Sequence, residues 1–505
     1  MIDWKHFKSG TDIRGVAVDG VAGEPLDMTD EAVSTMARAF ARWLANATGK
    51  KTSDLRIAVG RDSRISGPRL RDAVCAGLVQ SGVTALDCGL ASTPAMFMST
   101  LDLPCDGAIQ LTASHHPFHR NGLKFFRPTG GLEGGDISAI LALCEADDFV
   151  DADGGEVIET SYMPRYAARL RTLICEGVNA EQYDKPLAGF RIVVDAGNGA
   201  GGFYATEVLA PLGADIEGSQ FLEPDGRFPN HIPNPEDAEA MRSVSEATVR
   251  AKADIGVIFD TDVDRAGCVD ADGREINRNR LVALAAAIAL ENAPKGSVVV
   301  TDSVTSDGLK TFIEETLDGK HCRFKRGYKN VINEAIRLCD EGQYAPLAIE
   351  TSGHAALKEN YFLDDGAYLI TRILIKAACL RREGKTLADL IAPLKEPVEG
   401  KELRFNIKES DFRTYGNAVL EKLEAFAKEN GWRVADDSAE GVRVSFPKEN
   451  GNGWALLRLS VHDPVMPMNI ESDEEGGCLV IAKQLRALME SFDKLDCSKM
   501  AAYLD

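Results

Sequence analysis

Paired cysteines are missing from this chain. Its eleven cysteines are scattered singly, with no Cys-x-x-Cys pair, which argues against both a zinc site and a disulfide scaffold and leaves core packing as their expected use. Long apolar runs are missing too. None approaches the ~20 residues of a membrane span, and the opening residues Met1-Ile2-Asp3-Trp4-Lys5-His6 lack the apolar stretch of a signal peptide. The expectation is a cytoplasmic enzyme with no membrane partner. Positive charge is in deficit, with 57 Lys and Arg against 78 Asp and Glu and a formal net charge of −21. A nucleic-acid binder concentrates cations to displace counterions, so nucleic acid is not an expected partner. Excess acid instead suits a solvated surface.

What the chain does have is length and apolar content for several cores. Its 505 residues, 44% of them hydrophobic, suggest three to four domains. Strand-like runs alternate with helix-like ones: Leu55 to Val59 precedes Arg69 to Leu78, Arg191 to Asp195 leads through glycines to a helix, and Ser297 to Thr301 begins a third unit. Repeated βα order argues for an α/β fold with mixed or parallel sheets. From about Glu402 the pattern changes to an α+β tail, with strand candidates 403–407, 441–446 and 454–459 around a helix.

Two short segments carry the chemistry. The run Asp254-Ile255-Gly256-Val257-Ile258-Phe259 is apolar and reads as a buried strand ending at Asp260. If the chain continues extended, residues two apart share a side, and Asp260, Asp262 and Asp264 converge on one point. Three such carboxylates repel unless a cation joins them. An all-oxygen set suits Mg²⁺, which keeps part of its shell for water or phosphate oxygens. The plainer alternative is a solvated acidic turn. The second segment, Thr112-Ala113-Ser114-His115-His116-Pro117, lies at the end of the strand-like run Gly107 to Thr112 and places a hydroxyl at a strand's carboxyl end. Serine needs a base, a metal or prior modification to act as a nucleophile. His115, His116 and Lys124 are near in sequence, and no Gly-x-Ser-x-Gly elbow surrounds Ser114. An ordinary polar loop is the alternative there.

A rival motif is Gly197-Asn198-Gly199-Ala200-Gly201-Gly202, which satisfies Gly-x-Gly-x-x-Gly after a strand and has Asp215 and Glu217 about 20 residues on. It admits a nicotinamide-dependent oxidoreductase. The favoured reading is a tight turn joining strand to helix.

Taken together, the segments at 112–117, 260–265 and 350–354 (Glu350-Thr351-Ser352-Gly353-His354), with Arg458-Leu459-Ser460-Val461-His462-Asp463-Pro464, resemble in identity and order the α-D-phosphohexomutase superfamily, specifically its phosphoglucomutase and phosphomannomutase branch. Smaller matches are Asp12-Ile13-Arg14-Gly15, residues 59–67, Asn121-Gly122-Leu123-Lys124 and Gly327-Tyr328-Lys329. The resemblance implies three similar mixed α/β sheet domains plus a smaller C-terminal α+β domain around a central cleft, at 1–160, 161–278, 279–398 and 399–505. It implies exchange of hexose 1-phosphate and hexose 6-phosphate, glucose or mannose, through phosphorylated Ser114 and a bound hexose 1,6-bisphosphate, which also serves as activator. Mg²⁺ would be held by Ser114, Asp260, Asp262 and Asp264. Arg14, Arg265 and Lys124 would neutralise charge, with His115, Lys124 and His354 as unranked acid or base candidates. Glu350 and Ser352 would read the sugar hydroxyls. Lys329, Arg458, Ser460 and His462 would hold the idle phosphate. Arg61, Arg64, Arg326 and Lys358 complete a set of candidate basic wall residues. Phosphosugars are the implied partners, with the chain a monomer or homodimer. A phosphatase, or a phosphoserine-bearing relative with little turnover, are the alternatives within this resemblance. Three departures stand out: His116 replaces the usual Asn, Ala348-Ile349 stand where a Gly is common before Glu350, and the last loop offers Pro467-Met468-Asn469 in place of a second cation.

Overall fold

In the computed structural model, residues 2–460 and 463–505 are described. They form two compact units, one of residues 1–281 and 352–389, the other of residues 282–351 and 390–505.

The first unit holds two sheets. In one, the parallel strands Gly107–Leu111, Arg56–Arg61, Thr84–Leu90 and Glu156–Glu159 lie side by side, and Arg120–Arg127 and Asp12–Val16 add antiparallel on the Gly107–Leu111 side. Near-continuous apolar strands of this kind need both faces covered. The helices Asp30–Thr48 and Gly67–Gln80 supply cover, and the core they close includes Phe40, Leu44, Ile57, Val59, Ile109 and Phe125, all nearly inaccessible. Thr29 caps the first of these helices through Ala32 N, and Gly49 ends it in the left-handed region at φ 72°. The second sheet pairs Ile192–Asp195 in parallel with Ile255–Phe259, which pairs antiparallel with Ala266–Asp270. The helix expected after the glycines at 197–202 is a π-helix over Tyr204–Leu209, a wider coil than an α-helix. The short strands Ala355–Leu357 and Leu363–Asp364 pair antiparallel, and the helix Gly366–Arg382 follows.

The second unit contains the parallel strands Lys320–Phe324, Val298–Asp302 and Leu347–Ile349. Its tail is an antiparallel sheet running Arg433–Val434, Val442–Phe446, Gly453–Leu457, Val465–Ser472 and Glu399–Ile407, against which the helices Phe412–Glu429 and Gly477–Glu490 pack. The expected strand at 454–459 ends at Leu457. The fold is therefore α/β, with an α+β tail as expected. No helix among the described residues is long and apolar enough to cross a membrane. Cys75, Cys88, Cys144, Cys175, Cys268 and Cys478 are buried, and none of the eleven cysteines is paired.

Candidate active site

Ser114 sits just past the strand Gly107–Leu111, where the chain turns. Its own φ is 50°, in the left-handed region that a non-glycine residue occupies only when its surroundings hold it there. Thr112 Oγ1 accepts the Ser114 amide at 2.9 Å. The Ser114 hydroxyl, 4% exposed as a residue, donates to Asp260 Oδ2 at 2.9 Å. The two segments singled out by sequence thus meet across 146 residues of chain.

The extended continuation expected after Phe259 is not what brings the aspartates together. Residues 260–264 form a tight turn between the antiparallel strands Ile255–Phe259 and Ala266–Asp270, with Val263 at φ 69°. A β-branched residue there is strained, and Val263 O is held by Gly366 N at 3.0 Å, at the start of the helix Gly366–Arg382. One carboxylate oxygen of each of Asp260, Asp262 and Asp264 lies within 4.8 Å of the others, all three residues buried. The glycine-rich turn props this loop from below. A Cβ on Gly199 would meet Thr261 O at 2.6 Å, and Ala200 N donates to Thr261 O at 2.8 Å.

That second role bears on the rival motif. The amides a dinucleotide pyrophosphate would need are already used: Gly197 N on Asp195 Oδ1, Asn198 N on Phe221 O, Gly199 N on Ala196 O and Ala200 N on Thr261 O. Asp215, the candidate ribose ligand, accepts from Arg191 Nε at 2.7 Å, and Glu217 lies 3.9 Å from the same guanidinium.

Electrostatics divides the carboxylates. Burial, then the negative neighbours Asp264 and Asp262, push the Asp260 carboxyl well above the usual carboxylate range. Burial also opposes ionisation of Asp264, but Lys124, His354 and Arg265 outweigh it and hold this carboxyl below its ordinary range. Lys124 Nζ stands 2.5 Å from Asp264 Oδ2 and 3.5 Å from Asp262 Oδ2. Asp262 accepts the Thr93 hydroxyl, and its carbonyl accepts the Thr93 amide at 2.8 Å. Thr93 opens the helix Thr93–Asp102, capped by Ser92, so the positive end of a helix faces the acidic turn. Sequence reasoning passed over Thr93, although Ser92-Thr93-Pro94 is a helix-start signature that marks where such an amide is available.

The donor set fits a divalent cation. Asp262 Oδ1 and Asp264 Oδ1 are buried with no hydrogen-bond partner, an arrangement that costs free energy unless something positive meets those oxygens. Three hard carboxylate oxygens beside a hydroxyl suit Mg²⁺.

Arg265 and His115 complete the surroundings of Ser114. Arg265 is 1% exposed; its Nε donates to Asp260 Oδ2 at 3.2 Å, its Nη1 to Asn234 Oδ1 at 3.0 Å, and its Nη2 to His115 Nδ1 at 2.8 Å. His115 Nδ1 also lies 3.3 Å from Ser114 Oγ. Although part of the His115 residue remains open to solvent, desolvation of the ring and then the cations Arg265, His116 and Arg14 push it down to about 2, so it is neutral and an acceptor at Nδ1. Arg14 pairs with Asp12 Oδ2 at 3.1 Å. His354 differs. Burial disfavours its charge, but Asp364, 2.5 Å from Nδ1, and Asp264 raise it to about 9. Ser352 is buried in the same unit, its hydroxyl without a hydrogen-bond partner. Lys358 is exposed, its ammonium 5.7 Å from the Phe362 ring centre.

The remaining candidates lie in the second unit. Glu350 Oε1 accepts from Gly327 N at 2.6 Å, just before the helix Tyr328–Asp340 whose first turn carries Lys329. Arg458 is 8% exposed, with Nη1 3.8 Å from Glu440 Oε1 and Nη2 3.5 Å from Asn469 Oδ1. It is not isolated: Arg326, whose amide donates to Glu440 Oε1 at 2.9 Å, shares its field, and burial, opposed by Glu440 and aided by Arg326, lowers the Arg458 proton affinity below the ordinary arginine value. Ser460 N donates to Val465 O and its hydroxyl accepts from Asp463 N at 3.2 Å. His462 lies outside the described residues. Arg64, expected among the wall residues, is instead wholly buried beneath the Ser114 loop. Arg61 donates to Asp62 O at 3.2 Å.

Fold and site together define an α/β protein with a cation-ready carboxylate turn facing a buried serine hydroxyl. Comparison with known proteins names the family. Models of phosphoglucomutase/phosphomannomutase α/β/α domains I, II and III match residues 9–151, 164–273 and 277–397 in that order. The chain is 32% identical over 477 residues to a phosphoglucomutase of Neisseria gonorrhoeae, covering 94% of this chain and 95% of that one. It is 30% identical over 470 residues to a phosphomannomutase/phosphoglucomutase of Pseudomonas syringae pv. tomato, covering 92% and 91%. A crystal structure of a phosphoglucomutase/phosphomannomutase family protein from Burkholderia thailandensis superposes with a TM-score of 0.78 at 28% identity, covering 97% of this chain and 98% of that one. The chain belongs to the phosphoglucomutase/phosphomannomutase family of the α-D-phosphohexomutase superfamily, and is a mutase of the isomerase class.

Proposed function

We propose that this mutase interconverts hexose 1-phosphate and hexose 6-phosphate, glucose or mannose, using Ser114 as the phosphoryl carrier and a bound hexose 1,6-bisphosphate as intermediate. The observation that carries the reading is the Ser114 hydroxyl 2.9 Å from Asp260, beside two buried, unpartnered carboxylate oxygens. Mg²⁺ held by Asp260, Asp262, Asp264 and Ser114 would supply Lewis-acid neutralisation of phosphoryl charge. Phosphoryl transfer depends chiefly on positioning and on stabilising charge spread over equatorial oxygens. Arg265 suits that second task, because its guanidinium is fixed by Asp260 and Asn234 with Nη2 3.4 Å from Ser114 Oγ. His354, raised to about 9, can donate a proton, and His115, held neutral beside Ser114, is a second candidate for proton transfer. Lys124 is the third candidate for such a transfer. Arg14 adds positive charge near His115. Glu350 and Ser352 would hydrogen-bond sugar hydroxyls. Arg458, Ser460, Lys329 and His462 would hold the phosphate that is not reacting.

Incubation with glucose 1-phosphate or mannose 1-phosphate, Mg²⁺ and a trace of the 1,6-bisphosphate, followed by phosphorus NMR, tests the reading. Appearance of the matching 6-phosphate is expected. Release of inorganic phosphate alone would instead mark a phosphatase, and no change in either sugar would overturn the proposal.

A further inference from the structure

The sequence pattern at residues 59–67 carries a buried cation that neither the carboxylate turn nor the sugar site uses. Arg64 is 0% exposed, and its guanidinium donates to four backbone carbonyls of the Ser114 loop: Ser114 O at 2.5 Å, His116 O at 2.6 Å, Pro117 O at 2.7 Å and Arg120 O at 2.8 Å. The Arg64 residue is itself pinned. Its amide donates to Asp62 Oδ1 at 2.9 Å, its Nε lies 3.4 Å from Asp62 Oδ2, and the Asp62 amide donates to Leu111 O at 3.0 Å, the last residue of the strand leading to Ser114. From the other side, the Phe228 ring centre lies 5.4 Å from the guanidinium carbon. Gly226 lets that segment approach, since a Cβ there would meet Ile65 N at 2.3 Å and Ser63 O at 2.4 Å.

A planar fork with fixed donors suits this task, and an ammonium does not. Drawing four carbonyls to one buried point fixes their peptide planes and so the direction in which each following amide and side chain leaves the loop. Ser114, whose carbonyl is one of the four, sits at a φ of 50°. We propose that Arg64 is a positioning residue for phosphoryl transfer: from beneath the loop it sets the orientation of Ser114 Oγ toward Asp260 and Arg265, without touching the substrate. This rests on the reading of Ser114 as phosphoryl carrier.

Substituting R64K keeps the charge and loses the fork. Because a misplacement of ~1 Å can cost about a hundredfold in rate, kcat is expected to fall about tenfold to a hundredfold while KM for glucose 1-phosphate stays within about threefold. The rate at which phosphoserine 114 loses its phosphoryl group to water, giving serine and inorganic phosphate, is expected to rise, since a loop no longer held leaves the group open to solvent. A merely structural role would lower the thermal midpoint without this split. If R64K does not fold, F228L, which removes the ring over the guanidinium and none of its hydrogen bonds, carries the same readouts, with kcat down about two- to fivefold. Unchanged kcat and unchanged hydrolysis in a folded variant, or a rise in KM at constant kcat, would overturn the proposal. A wild-type protein that never carries phosphate on Ser114 would instead defeat the carrier reading itself.

Discussion

Removing the ammonium of Lys124 by K124M separates the two jobs the structure gives it. The side chain is 6% exposed and touches two buried carboxylates, at 2.5 Å from Asp264 Oδ2 and 3.5 Å from Asp262 Oδ2. Deleting one partner of a buried ion pair leaves uncompensated charge and costs about 3–5 kcal/mol. Lys124 is one of the cations, with Arg265 and His354, that offset the acids of the carboxylate turn, so the substitution makes the turn more negative by one charge. At an effective dielectric of about 20, a unit charge ~4 Å away is worth about 4 kcal/mol, and a divalent cation twice that. Mg²⁺ should therefore stabilise K124M more than it stabilises the unsubstituted protein. The assay is urea unfolding in EDTA and at matched Mg²⁺ concentrations, with saturation at a hundred times Kd contributing about 2.7 kcal/mol to the unsubstituted protein. Turnover should not return with the cation, because the ammonium that would neutralise developing phosphoryl charge is gone. Equal stability of the two proteins in EDTA, or equal gain from Mg²⁺, would refute the placement of Lys124 against a cation site.

Changing Arg458 to Ala removes a charge-assisted contact worth about 1.5–3 kcal/mol, so kcat/KM should fall roughly tenfold to a hundredfold in a coupled assay; an unaffected value would take Arg458 out of phosphate binding. G199A puts a Cβ 2.6 Å from Thr261 O and 2.9 Å from Thr261 Cα; overpacking against backbone should cost about 1–3 kcal/mol on urea unfolding and weaken Mg²⁺ activation, since Thr261 lies between two of the aspartates. His231 supplies a pH signature. Burial opposes its charge, yet Asp195, 3.0 Å away, raises its pKa above the ordinary value near 6.5. That stabilisation is fully present below about pH 6.5 and is lost as pH rises through the elevated folded value. H231N should flatten this slope in stability against pH, and a slope that persists would assign it elsewhere.

The layered α/β architecture and the change to α+β near the end followed from periodicity alone, because apolar strands and amphipathic helices announce themselves locally. Ser114 and the three aspartates were likewise visible as residue types in a suggestive spacing. Their convergence was anticipated for the wrong reason: alternation along an extended chain was invoked, whereas a tight turn with Val263 in the left-handed region, its carbonyl bound by Gly366 N, gathers them, a tertiary arrangement no local pattern reports. Thr93 escaped notice because its partner, Asp262, is 169 residues away. Arg64 was counted as a cation facing substrate, since charge in a sequence carries no sign of burial. The glycine-rich turn matched a dinucleotide fingerprint in spelling, and only the hydrogen bonds of its amides reveal that it braces Thr261.

Intact-mass analysis with phosphopeptide mapping, before and after incubation with hexose 1,6-bisphosphate, addresses the carrier role of Ser114 most directly. A single phosphoryl group on Ser114, discharged to the sugar on adding hexose monophosphate and absent with isomerisation in S114A, is the expected result. Undiminished interconversion by S114A, or a phosphoryl group mapped to another residue, would contradict it.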